Sequence, residues 1–125
     1  MANPNIVNVA TITANNKLLD LAAETETLLI NNPASSGKVY KINWINAANK
    51  NTSGNSVFTV NINDQDDLGG TNYSLISQAI IPSNTSLIVT DKSTSFYLLE
   101  DQSVSVIANN AGNTVVSSSW EEISS

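Results

Sequence analysis

The sequence predicts an all-β fold: a single β-sandwich of about eight to ten short strands, of immunoglobulin-like or jelly-roll type. Three observations predict it. Apolar and polar residues alternate with a period of two along most of the chain, which sends successive side chains to opposite faces of a strand. Turn-forming residues interrupt the alternation roughly every eight to twelve residues. More than a third of the residues are Asn, Ser or Thr, types that disfavour helices and decorate strands and turns. At 125 residues the chain is near the commonest domain size, so residues 1–125 are read as one domain. Residues 1–10, in which Pro4 marks an extended start, are the one segment suited to be an N-terminal arm.

The elements follow in order. Residues 16–24 bring Leu18, Leu19, Leu21 and Ala22 close together and are the best helix candidate, but the alternating stretch that follows to Asn31 makes strands equally acceptable. In residues 38–47, Tyr40, Ile42 and Trp44 share one phase against Lys41 and Asn43, which places Tyr40 and Trp44 in the core. In residues 56–63, Phe58, Val60 and Ile62 face in while Thr59, Asn61 and Asn63 face out. Residues 73–81 carry apolar side chains in both phases and read as covered on both faces, until Pro82 ends them. Short strands follow at residues 86–90 and 95–99, with Tyr97 opposite Phe96 in phase. Val104, Val106 and Ala108 carry the next strand. The turn cluster of residues 109–113 is expected to join it to residues 114–122 as a hairpin.

Composition removes several kinds of chemistry. The chain has no cysteine and no histidine, so disulfides, thiolate metal sites and the usual general base are absent. Arginine is missing too, and five lysines stand against eleven carboxylates for a net charge of −6. Such a balance disfavours nucleic acid and anionic membrane surfaces. The opening residues have neither a basic nor an apolar region, so they read as the start of a protein kept in the cell that makes it. Charged residues are only 13% of the chain, about half the usual ~25%. A surface that is polar yet poor in charge suits close approach to other protein.

Candidate sites are few. Asp64, Asp66 and Asp67, followed by Gly69 and Gly70, form the densest group of oxygen ligands and are weak calcium candidates; their spacing does not match a calcium loop, and a solvated turn explains them as well. The adjacent pairs Glu100-Asp101 and Glu121-Glu122 point to opposite faces of a strand, so neither can act alone as an acid–base couple. Ser36-Gly37-Lys38 lacks the helix and the leading glycine of a phosphate loop and is read as a turn. No catalytic residue, metal or cofactor is expected. Five aromatic residues (Tyr40, Trp44, Tyr73, Tyr97 and Trp120) keep a carbohydrate-binding module open. Of these, Tyr97 and Trp120 are the interface candidates, together with Ile6, Val7 and Val9 of the arm.

Several segments also carry a resemblance. The opening Asn3-Pro4-Asn5-Ile6-Val7-Asn8-Val9, the stretch Ala34-Ser35-Ser36-Gly37-Lys38-Val39-Tyr40-Lys41-Ile42-Asn43, Ile88-Val89-Thr90-Asp91-Lys92, Tyr97-Leu98-Leu99-Glu100-Asp101-Gln102-Ser103-Val104-Ser105-Val106, and Ser119-Trp120-Glu121-Glu122-Ile123 resemble small virion structural proteins of tailed bacteriophages that infect marine cyanobacteria. The resemblance implies a non-enzymatic virion component, assembled in the host cytoplasm. Its most natural role would be a capsid decoration (cement) protein, a homo-oligomer such as a trimer, bound to the major capsid protein or to other virion proteins. A neck, tail or fibre-attachment protein is the alternative within that class, and a carbohydrate-binding module on the virion is the alternative outside it.

Overall fold

A computed structural model describes residues 4, 6–109 and 113–125. Nine strands, β1 (Thr11–Asp20), β2 (Thr27–Asn32), β3 (Lys38–Asn49), β4 (Ser56–Asn63), β5 (Asn72–Ile81), β6 (Ser86–Thr90), β7 (Phe96–Leu98), β8 (Gln102–Ala108) and β9 (Thr114–Ser124), form two antiparallel sheets. One has the order β1-β9-β3-β6, with β7 taking the rest of the β3 edge; the other has the order β2-β8-β4-β5. The strands pair as nested hairpins: β4 with β5, β3 with β6 and β7, β2 with β8, β1 with β9. That nesting is a jelly roll, and it decides between the two sandwich types that the sequence allows.

The core lies between the sheets. Leu29, Ile30, Ile42, Ile45, Phe58, Val60, Val104, Val106 and Val116 are fully buried there, each stabilising the fold by roughly 2 kcal/mol on removal from water. Two buried asparagines tie the sheets together at opposite ends. Asn32, closing β2, donates to the carbonyls of Lys38 (3.0 Å) and Leu98 (3.2 Å) across the gap. Asn49, closing β3, donates to those of Ile81 (3.0 Å) and Gly54 (2.8 Å). A buried amide needs such partners, and here all but Gly54, in the loop between β3 and β4, belong to the other sheet.

Residues 16–24 are strand and loop, with no helix: β1 runs to Asp20 and Leu21 turns into the core. Strand β5 is an edge strand, exposed along most of its length, where the sequence reading had both faces covered. Its apolar residues in both phases reflect register shifts against β4. Residues 109–113 do not close a hairpin, because β8 and β9 lie in different sheets; Asn110, Ala111 and Gly112 lie outside the described residues. So do Met1, Ala2, Asn3 and Asn5 of the expected arm.

A bulge in β3 overturns the reading of Trp44, and the inward phase that Trp120 shares with Val116 and Ser118 on β9 overturns that of Trp120. Ile42 pairs with Trp120 and Trp44 with Ser119, which leaves Asn43 as the extra residue. One extra residue shifts every later side chain to the other face. Trp44 therefore points out and is 38% exposed. Trp120, expected at an interface, lies inside at 7% exposure. It stacks on Tyr40 with ring centroids 6.2 Å apart and donates its indole N–H to Glu122 Oε2 at 3.2 Å.

Candidate functional site

The two outer faces of the sandwich are finished differently. On the β2-β8-β4-β5 sheet, Asn61 and Asn63 stand opposite Ser105 and Ser103 on the face turned away from the core. The phase expected for β4 is correct, yet these residues are buried. The segment after β4 folds back over them. Ser103 Oγ donates to the Gln65 carbonyl (2.9 Å) and accepts from the Leu68 amide (3.2 Å) and the Asn63 side chain (3.3 Å). Ser105 donates to Glu26 at 2.7 Å.

The calcium candidates belong to this cover. Asp64 accepts from the Thr71 amide (2.7 Å), Asp66 from the Ala34 amide (3.0 Å), and Asp67 from the Asn31 side chain (3.1 Å). The three carboxylates thus fasten the loop in three directions. Among the described residues no three acidic, His or Cys side chains are grouped to hold a metal. Gly70, at φ +72°, makes room for this: a Cβ there would lie 1.9 Å from Asp64 Oδ1. No motif search would find this role, because all the partners but Thr71 come from β2, β8 and the turn before β3.

The opposite face, on the β1-β9-β3 sheet, is largely open, although Val39 and Ile123 at one end of it are buried. Ile12, Leu18, Trp44, Ile88 and Tyr97 are exposed large apolar residues on it. The only charged side chains the ladder places among β3 and β9 there are Lys41 and Glu121, and Glu121 accepts from Asn43 at 3.0 Å. Tyr97 is exposed and stands beside Lys41. Ile6 and Val7 are also exposed and Val9 is half-buried, ahead of β1.

Two shallow grooves cross this face and share Ser119. One, of about 530 Å³, is lined by Asn43, Trp44, Asp91, Lys92, Ser93 and Ser119. The other, of about 320 Å³, is lined by Ala14, Asn15, Asn16 and Ser119. Hydrogen bonds from the Ser93 hydroxyl (2.6 Å) and amide (3.0 Å) hold the Asp91 carboxyl below the usual carboxylate range. On the inner side, Glu122 is partly desolvated, which pushes its pKa up, but hydrogen bonds from Asn15, Lys38 and Trp120 outweigh this and hold it low. Glu121 and Glu122 do face opposite ways, as adjacent strand residues must. Among the described residues no helix is long and apolar enough to cross a membrane.

No protein-family model matches the sequence, and no curated protein matches it either. Among solved structures, a chain from Bacillus endospore appendages, described as a family of disulfide-linked pili, is similar, with a TM-score of 0.53 and 16% identity over 92% of this chain and 90% of that one. The likeness is one of fold: both chains are built on the same sandwich.

Proposed function

We propose that this chain is a structural subunit of a repeating protein assembly, and that its place is on a virus particle, as a capsid decoration protein seated on the major capsid protein lattice. The observation that carries the reading is strand β1. It is a ten-residue edge strand with every residue from Thr11 to Asn16 exposed. Only Lys17 and Asp20 are charged, and Ile12 and Leu18 are 57% and 73% exposed. Proteins that stay single shorten, charge or cover such an edge. A subunit that joins others leaves it open.

The similar Bacillus chain comes from appendages that form disulfide-linked pili. With no cysteine, this chain joins copies or partners without disulfides. The bare outer face around Tyr97 and Ile88 supplies apolar contact area with little charge to desolvate.

Quantitative mass spectrometry of purified particles tests the placement. A copy number comparable to that of the major capsid protein is expected for decoration, a small fixed number would move the chain to neck or tail, and absence from particles overturns the viral reading. Sedimentation of the purified chain tests the assembly itself. Oligomers that dissociate when Ile12 and Leu18 are replaced by Lys are expected, and a monomer at every concentration would overturn it.

A further inference from the structure

A tryptophan on the outside of a sheet needs a reason, because solvent contact wastes its large apolar area. The extra residue Asn43 turns Trp44 out of the core and into the wall of the larger groove. The polar groups around it fall into two sets. Asn43 and Asp91 are held in place by Glu121 and Ser93. The Trp44 indole N–H, the Lys92 ammonium and the Ser119 hydroxyl have no hydrogen-bond partner among the described residues. The groove thus offers an aromatic surface, fixed acceptors and uncommitted donors within one depression.

From this we infer that the Trp44 groove binds a neutral oligosaccharide. A sugar ring presents an apolar C–H face to an aromatic plane and hydroxyls, each both donor and acceptor, around its edge, which matches this lining. Neutrality follows from charge: Lys92 and Asp91 line the same groove and offset each other, while the chain's net charge of −6 repels anionic glycans. An oligomer is favoured over a single sugar because the two grooves meet at Ser119 and together cross β3, β9 and β1. The inference goes beyond the structural reading and is read out separately, by glycan retention where that reading is tested by copy number in particles and by sedimentation.

The test is an array of neutral oligosaccharides (glucans, mannans and chitin oligomers) probed with the purified chain, followed by NMR titration of the intact protein with any sugar retained. The Trp44 indole resonance is expected to shift while that of Trp120 stays. Trp44→Ala is expected to weaken binding about tenfold or more with the fold intact by circular dichroism. Ser119→Tyr, which fills the junction of the grooves beside Trp44, is expected to abolish binding of the longer sugars. Retention of no neutral oligosaccharide overturns the proposal, as does binding undiminished in both variants.

Discussion

The outer face of the β2-β8-β4-β5 sheet and that of the β1-β9-β3 sheet are built from similar residues but left in opposite states. The first presents Asn61, Asn63, Ser103 and Ser105, and the chain's own acidic loop covers them. The second presents Ser117, Ser119 and Asn46, which stay half-buried, and Trp44, which is exposed. The difference teaches that exposure here is a property of topology. Polar strands are buried wherever the chain returns over them, and an aromatic is left outside wherever a bulge turns it out. A face that the chain does not finish is where a partner or ligand can.

The sharpest way to break the contrast is on the ladder where the two tryptophans sit one register step apart. Trp120→Ala removes a buried ring stacked on Tyr40 and is expected to destabilise the fold by about 4 kcal/mol, lowering the thermal midpoint by roughly 15 °C. Next in size, Gly70→Ala tests the covered face. Its positive φ and the clash with Asp64 should cost about 2 kcal/mol, and a denaturant midpoint unchanged from wild type would refute the account of the loop.

A smaller, pH-dependent effect reads the inner side of the bare sheet. The Glu122 carboxyl is held below its ordinary value of 4.5 in the folded chain. A depressed pKa stabilises the fold above the unfolded value, and the gain is lost as pH falls through the folded one. Acid titration of stability should therefore show a loss below about pH 4.5 that Glu122→Gln makes shallower. The smallest effect is expected from Trp44→Ala, under about 1 kcal/mol by chemical denaturation, in the range of surface substitutions. A loss as large as that of Trp120→Ala would mean that the outer ring is structural.

Much of the fold was legible because period-two alternation is local. Strand β4 spans the residues its alternation marks, and β6 does likewise. Strand number and sandwich class follow from the same signal. What escaped depends on partners far away in the chain. Nothing near Asn43 announces a bulge; only the pairing with β9 reveals it, and with it the outward turn of Trp44. The crossing of residues 109–113 between sheets looks, residue by residue, like a hairpin turn. The acidic loop reads as solvated or metal-binding because the amides that hold it, from Ala34, Asn31 and Thr71, come mostly from outside its own segment. Tyr97 was legible as an exposed residue because its strand is short and unbulged.

The nested pairing also sets an order of events during synthesis. Of the paired strands only β4 and β5 follow one another directly in the chain; each further pair encloses the one before it, and the outermost brings Thr11 beside Ser124. Because β9 lies in the middle of its sheet, between β1 and β3, those two strands have no common neighbour until β9 is made. Strand β1, whose one partner is β9, must stay unpaired through the synthesis of the seven strands between them. Closure of so long a loop makes folding slow for a molecule of this size.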